Sequence, residues 1–307
     1  MTGLDPSARD LLASAAPGRP FEDGTVAEAR AAYAASWQAA LGPLAPVAES
    51  RTLWHDGLRL RLWRGVTAPA TGARALLYLH GGGWVIGSPE SHEDICRTLA
   101  HSAGAVVISP DYRLAPEHHF PSALEDGAAA LRWMADQAGR LGIDPARLAV
   151  GGDSAGGNLA AVLALMARDG ALPPLAAQLL FYPNTDAGQT HASYRRFASG
   201  HGLTARTMRW FRDLYLTDPS QADDWRVSPL RAPSLQGVAP AFVALAGHDI
   251  LHDEGAAYAS RLRGESRAEV QTWPGQLHGF VSQGARIPEA AEALAAAAAA
   301  WLTLDQA

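Results

Sequence analysis

Residues 148–158 read LAVGGDSAGGN, an apolar run followed directly by a glycine-rich turn around Ser154. The apolar run 148–151 predicts a buried strand, and the segment from Gly156 onward predicts a helix. A sharp strand-to-helix turn crowds the two backbones, so the positions two before and two after the serine need to lack side chains. Gly152 and Gly156 meet that requirement. The stretch therefore predicts a serine hydroxyl exposed above a sheet, where it can act as a nucleophile.

The start of the predicted helix adds a second feature at this turn. Backbone N–H groups and a partial positive charge at a helix start favour nearby negative charge. The N–H of Ala155 is therefore a candidate donor to an oxyanion. A G-x-S-x-G pattern also occurs by chance as an ordinary glycine turn, but the strand before it and the helix after it favour the catalytic interpretation.

Another glycine cluster, HGGGW at 80–84, follows the predicted strand 75–79. Consecutive glycines allow the N–H groups of Gly82 and Gly83 to converge on one oxygen, because no side chain blocks the approach. With Ala155 they would form an oxyanion hole of three donors. His80 precedes the glycines, and we interpret it as a loop anchor bonded to the backbone rather than as a base.

A serine hydroxyl is a weak nucleophile, so it needs a base and an acceptor that orients the base. On a serine-hydrolase sheet of this kind the chain order is serine, acid, histidine. Asp249 follows the predicted strand 242–246, and His278 follows the predicted strand 270–273. Asp253 is the rival acid, but it is predicted to begin the next helix in a capping role. None of the rival histidines follows the last predicted strand: His118, His119, His248 and His252.

Short apolar runs alternate with helical patterns along most of the chain. Alternating Leu58, Leu60 and Leu62 indicate that a sheet begins after Thr52. The alternation predicts an α/β class with a mostly parallel central sheet flanked by helices. The further strands are predicted at 75–79, 105–109, 148–151, 179–182, 242–246 and 270–273. The helices are predicted at 92–101, 122–138, 156–168, 254–263 and 288–304.

The alternation of strand-like and helix-like segments is absent at the N-terminus and between residues 183 and 227. We predict an N-terminal cap segment at 1–48, a core at 49–183, a helical cap insertion at 184–226 and the rest of the core at 227–307. Residues 206–216 have apolar side chains at near-helical spacing. Trp84, Trp210 and Phe211 are candidates to bind substrate, although aromatic residues at such spacing also serve as core.

Composition narrows the class of partner. The 307 residues have a net charge of -6 and no arginine-rich stripe, which argues against a nucleic-acid partner. Cys96 is the only cysteine, so no intrachain disulfide or cysteine metal cluster is expected, in keeping with the cytoplasm. The longest apolar run is well short of the roughly 18 residues that span a bilayer, and no secretory signal is recognisable. We therefore expect a soluble protein with no membrane partner.

Together these motifs resemble the bacterial branch of the hormone-sensitive lipase family of α/β-hydrolases. The resemblance rests on HGGG at 80–83, DYRLAPE at 111–117, GDSAGGN at 152–158, YP at 182–183, SPL at 228–230, DEG at 253–255 and HGF at 278–280. It implies the triad Ser154, Asp249 and His278, oxyanion donors at Gly82, Gly83 and Ala155, and a cap built from the N-terminal segment and the insertion. Departures from the usual pattern affect local loops: Ile250, His252 and His119.

The resemblance also implies an activity. It suggests hydrolysis of small-molecule esters with short to medium acyl chains through an acyl-enzyme, without cofactor or metal. Asp111, Arg113 and Glu117 are interpreted as supporting charges in a proline-bearing loop. Members of the family tend to form homodimers, so a homodimer is also expected from the resemblance. The alternatives are an amidase or formamidase, and a ligand-binding receptor such as the related plant gibberellin receptors, which lack the catalytic histidine.

Overall fold

The computed structural model describes residues 3–14 and 19–305. In that part of the chain, eight strands form one sheet in the order β1-β2-β4-β3-β5-β6-β7-β8. Strand β2 is antiparallel to β1 and β4, and all other neighbouring pairs are parallel. The strands are β1 Val47–His55, β2 Leu58–Gly65, β3 Ala73–Leu79, β4 Val106–Pro110, β5 Ile143–Asp153, β6 Ala177–Phe181, β7 Ala241–His248 and β8 Ala268–Leu277.

Helices cover both faces of the sheet. They are α1 Pro6–Ser14, α2 Val26–Ala40, α3 Glu93–Ala103, α4 Ser122–Asp136, α5 Ala138–Leu141, α6 Ala155–Arg168, α7 Ser193–Arg196, α8 Ala205–Tyr215, α9 His252–Glu265 and α10 Glu289–Leu304. Successive residues of β3 pack on opposite sides: Leu77 joins the core under α4 and α6, and Leu76 joins the core under α3 and α10. Burial on both faces explains why the central strands are apolar throughout.

The predicted α/β class with a mostly parallel sheet is confirmed. The predicted parallel strands and the five predicted helices are all present, with ends shifted by a few residues. The predicted start of the sheet after Thr52 is wrong, because β1 begins at Val47. This edge strand pairs only with β2 and buries little of its surface, so it lacks the apolar pattern by which strands are recognised.

The N-terminal segment and the insertion are helical. In the insertion, α8 begins after Thr204, whose hydroxyl accepts the N–H of Thr207. In the N-terminal segment, Arg30 on α2 donates to the carbonyl oxygens of Val85 and Ala115 at 2.9 Å. This arginine therefore fastens α2 beside the HGGGW loop. Residues 1, 2 and 15–18 of the predicted N-terminal segment lie outside the described residues.

Residues 3–14 and 19–305 contain neither a membrane-spanning helix nor a cluster of metal ligands. No helix there is long and apolar enough to cross a bilayer. No group of three or more histidine, cysteine, aspartate or glutamate side chains is arranged to hold a metal ion.

The turn around Ser154 packs directly against the end of β3. A Cβ added to either Gly152 or Gly156 would overlap the carbonyl oxygen of Leu79. The predicted need for glycine at both positions is therefore confirmed, and its cause is the backbone of the neighbouring strand. Any side chain there would push α6 away from the sheet.

We predict that Gly156→Ala lowers the free energy of unfolding by at least about 1–3 kcal/mol, because the new methyl group meets rigid backbone. Gly139→Ala is the matched control, since an added Cβ at Gly139 in α5 meets nothing within 4 Å. The control is expected to leave stability unchanged or slightly raised. Denaturant unfolding of both variants makes the comparison, and equal stabilities would contradict the packing argument.

Candidate active site

Ser154 occupies the turn between β5 and α6 in a backbone conformation that is rare for a residue with a side chain. Its φ is 55° and its ψ is -117°. The N–H of Ser154 donates to the carbonyl oxygen of Phe181 at 2.9 Å, and its own carbonyl oxygen accepts from Asn158 and Asn184 at 3.0 and 3.1 Å. These bonds hold the strained turn, so the hydroxyl has a fixed direction.

Three side chains form an unbroken hydrogen-bonded row. The Oγ of Ser154 lies 2.8 Å from Nε2 of His278, and Nδ1 of His278 lies 2.8 Å from Oδ2 of Asp249. The other carboxylate oxygen of Asp249 accepts the N–H of Leu251 at 2.8 Å. Because a carboxylate only accepts, Nδ1 of the imidazole carries the proton and Nε2 is free to accept the serine hydroxyl.

The sheet explains why these three residues meet. Ser154 follows β5, Asp249 follows β7 and His278 follows β8, with β6 between β5 and β7. The carboxyl ends of parallel strands lie at one edge of a sheet, which is where open α/β sheets bind ligands. The structure therefore brings together the three positions that the sequence predicted.

The rival acid is engaged elsewhere. The carboxylate of Asp253 accepts the N–H of Ser193 and the guanidinium of Arg196, both at 2.8 Å. Asp253 lies in the first turn of α9, as expected, but it ties α7 of the insertion to α9 instead of capping its own helix. His118 is exposed, and the other rival histidines bond main-chain carbonyls: His119 to Leu214, His248 to Pro274 and His252 to Ala246.

Gly82, Gly83 and Ala155 line one cavity with Ser154 and His278. Within the described residues, the N–H groups of Gly82, Gly83 and Ala155 donate no hydrogen bond. Gly82 and Gly83 have φ values of 116° and 59°, which other residues rarely adopt. A Cβ on Gly82 would overlap the main chain of Ile86, and one on Gly83 would overlap the ring of Phe211. The loop therefore requires glycine at both positions.

His80 anchors this loop from below, as the sequence predicted. Its Nδ1–H donates to the carbonyl of Gly81 at 2.8 Å, and its ring stacks on Tyr112 at 4.2 Å. Burial, together with the nearby His92, lowers the pKa of His80 to about 3. The ring is thus neutral and does not line the cavity with Ser154, so it does not compete with His278 as a base.

The cavity in front of Ser154 has a volume of about 480 Å³. Trp84 and Phe211 line it, but Trp84 is only 2% exposed and stacks on Tyr215 at 4.4 Å, so it mainly packs. Trp210 does not reach the cavity, and its predicted substrate contact is corrected. Successive helical residues point in different directions, and the ring of Trp210 packs behind Phe211 at 5.2 Å.

The cavity is also lined by three residues for which no role was predicted: Tyr33, His92 and Asp153. Nε2 of His92 lies 3.2 Å from a carboxylate oxygen of Asp153, the residue immediately before the serine. No motif marks His92, because a single histidine in a helix-forming stretch is usually structural. Only the sequence position of Asp153 beside the serine was a signal.

The supporting charges of the 111–117 loop pair with residues of other elements, and within the described residues no ion pair joins them to one another. Their partners are Arg59 for Asp111, Asp126 for Arg113 and Arg30 for Glu117. The Arg30 guanidinium lowers the pKa of Glu117 to about 2. These pairs join the loop to β2, α4 and α2, and no residue of the 111–117 loop lines the cavity.

Known proteins share this architecture. A family described as alpha/beta hydrolase fold matches residues 76–282. An ethyl acetate hydrolase of Pseudomonas putida is 45% identical over 78% of this chain and 77% of its own length. The carboxylesterase NlhH of Mycobacterium tuberculosis is 40% identical over 80% of this chain and 79% of its own.

Solved structures agree over nearly the whole chain. An ester hydrolase from the metagenome of Lake Arreo, complexed with a bipyridine phosphonate derivative, has a TM-score of 0.92 at 40% identity and covers 98% of both chains. A thermostable esterase from Pseudomonas putida ECU1011 has a TM-score of 0.93 at 34% identity, covering 99% of this chain and 98% of that one. The chain therefore belongs to the α/β-hydrolase fold family, in the hormone-sensitive-lipase-like branch that its motifs resemble.

Proposed function

We propose that this protein hydrolyses carboxylic esters with short to medium acyl chains, with Ser154 as nucleophile, His278 as base and Asp249 as the acid that orients it. The observation that carries the proposal is the unbroken row of two 2.8 Å hydrogen bonds from Ser154 through His278 to Asp249. The names of the relatives, an ethyl acetate hydrolase and a carboxylesterase, support the same chemistry.

The cycle follows from this geometry. Oγ of Ser154 attacks the ester carbonyl carbon while Nε2 of His278 takes the hydroxyl proton. The carbonyl oxygen becomes an oxyanion, stabilised by the N–H groups of Gly82, Gly83 and Ala155. Collapse of this intermediate breaks the bond to the alcohol oxygen, which receives the proton from His278, and leaves an acyl-serine. Water then attacks the acyl carbon along the same path and releases the acid.

Asp249 has two functions in this cycle. Its carboxylate fixes the imidazole tautomer, and its negative charge stabilises the imidazolium that forms after proton transfer. Asp249 is 1% exposed, so water does not screen this attraction, and the N–H of Leu251 keeps the carboxylate in place. The proposed cycle uses the three triad side chains, the main-chain N–H groups of the oxyanion hole and water.

The size of the cavity favours substrates with a small acyl group. Its volume of about 480 Å³ must hold both halves of the ester. We propose that residues 1–48 and 184–226 act together as the cap, because side chains from both segments line this volume. Those side chains are Phe21 and Tyr33 from the first segment, and Leu203, Met208 and Phe211 from the second.

The other hypotheses have less support. An amidase would use the same residues, but the names of the relatives favour esters. A non-catalytic receptor has no need for the histidine that His278 supplies. Matched ester and amide substrates separate the first alternative from the proposal. The homodimer and the cytoplasmic location stay predictions.

We predict that Ser154→Ala and His278→Ala each reduce the kcat for p-nitrophenyl acetate by roughly a millionfold, because the triad works as a unit. Turnover of purified, folded variants is the measurement. Near wild-type turnover in Ser154→Ala would end the proposal.

We predict that Asp249→Asn reduces kcat by about 10⁴-fold, because the amide can hold the imidazole in the wrong tautomer. Asp253→Asn is the matched control, since it removes a carboxylate only four positions away that bonds Ser193 and Arg196. Its expected loss is less than about tenfold. A larger loss in the control would overturn the assignment of Asp249.

We predict that Phe211→Ala raises the ratio of kcat/KM for a p-nitrophenyl octanoate over the acetate by about tenfold, because it removes a wall of the cavity. Trp210→Ala is the control, since this neighbouring aromatic packs behind the wall. The same ratio in both variants would show that Phe211 does not limit the length of the acyl chain.

A further inference from the structure

A buried carboxylate lies beneath the HGGGW loop, and the proposed cycle gives it no role. Oδ1 of Asp153 accepts the N–H of Gly81 and the hydroxyl of Tyr78, both at 2.9 Å. Nε2 of His92 lies 3.2 Å from the same oxygen. Asp153 and His92 are 4% and 1% exposed. The cluster therefore joins the end of β5, the loop after β3 and the segment before α3.

This carboxylate connects the two halves of the proposed oxyanion hole. Asp153 directly precedes Ser154, and Gly81 directly precedes Gly82. The contact is so close that a Cβ on Gly81 would overlap the Asp153 carboxylate. A shift of this carboxylate would therefore move the loop donors relative to the serine.

Hydrogen bonding around His92 indicates that its ring is an imidazolium. The hydroxyl of Ser91 donates to the carbonyl of Ser88 at 2.8 Å, so its oxygen accepts at 2.8 Å from Nδ1–H of His92. Nε2 of His92 faces a carboxylate, which also only accepts. Both ring nitrogens consequently carry protons.

Electrostatics agrees with this assignment. Burial acts to lower the pKa of His92, but the charge of Asp153, with a smaller effect of Asp94, raises it above its ordinary value. Burial acts to raise the pKa of Asp153, yet His92 and the Tyr78 hydroxyl keep it below its ordinary value. His80, with its ring 5.7 Å from His92, stays neutral. A buried ion pair with these hydrogen bonds keeps its geometry, because loss of either partner leaves an unpaired charge.

We propose that His92 is a positioning residue for ester hydrolysis, acting through Asp153 to hold the N–H groups of Gly82 and Gly83 at the correct distance from Ser154. The inference rests on the proposed function. It assigns the oxyanion hole a charged support that is not part of the triad.

The test compares a phenyl ester with its thiono analogue, whose sulfur accepts hydrogen bonds poorly and so depends less on the oxyanion donors. We expect His92→Phe and Asp153→Asn to lower kcat for the oxygen ester by about tenfold to hundredfold, with KM changed by less than about twofold. The loss for the thionoester is expected to be at least about fivefold smaller. His92→Gln, which keeps an N–H donor without the charge, should give an intermediate loss.

Asp126→Asn is the matched control, because Asp126 is also largely buried, at 9% exposure, but accepts the main-chain N–H and the guanidinium of Arg113 and not the N–H of Gly81. The ratio of oxygen ester to thionoester turnover should stay at its wild-type value in this control. The double variant His92→Phe with Asp153→Asn should be no slower than Asp153→Asn alone, since His92 acts through that carboxylate.

Equal losses on both substrates, additive losses in the double variant or a changed ratio in Asp126→Asn would each overturn the proposal. If His92→Phe does not fold, His92→Gln and Asp153→Asn carry the same comparison, with circular dichroism as the check on folding. Failure of the proposed function would be seen separately, as an inactive wild type or as turnover by Ser154→Ala.

Discussion

The hydrogen bond between Ser154 and His278 joins residues 124 positions apart, and the rest of the structure serves to keep its length at 2.8 Å. Neither side chain could hold this geometry on a flexible chain, because the free energy of one hydrogen bond is about 1 kcal/mol. The sheet supplies the rigidity: β5 and β8 are fixed through β6 and β7, and apolar side chains pack on both faces. The site thus consists of short loops on a closely packed scaffold.

A second constraint is the close approach of β3 to the serine turn. The carbonyl of Leu79 occupies the space that side chains at Gly152 and Gly156 would need. Since the HGGGW loop begins at the very next residue, the same packing delivers its N–H groups to the serine. The N-terminal segment and the insertion then meet above the loop, where Phe21 and Phe211 pack at 6.4 Å and the Thr207 hydroxyl donates to Glu22 at 3.0 Å.

Those parts of the molecule that depend on local sequence could be predicted, and those that depend on helix phase or distant partners could not. The glycines around Ser154 and the order of acid and histidine identified the three residues that the structure brings together. Trp210 and its neighbour Phe211 were both predicted to bind substrate, but only Phe211 lines the cavity. The spacing of apolar residues alone does not determine which side of α8 faces the cavity. His92 belongs to no motif, and its significance is visible only beside Asp153, from which it is far removed along the chain. Strand β1 was not predicted, because an exposed edge strand lacks an apolar pattern.

The proposed mechanism requires that one hydroxyl, one imidazole and three amide protons face the same small volume. A crystal structure of the protein after reaction with an alkyl phosphonate tests this most directly, because the tetrahedral phosphorus resembles the intermediate. We expect a single covalent bond from phosphorus to Oγ of Ser154, with one phosphonyl oxygen within about 2.7–3.1 Å of the N–H groups of Gly82, Gly83 and Ala155. A phosphonyl oxygen directed away from those groups, or a bond to another residue, would contradict it.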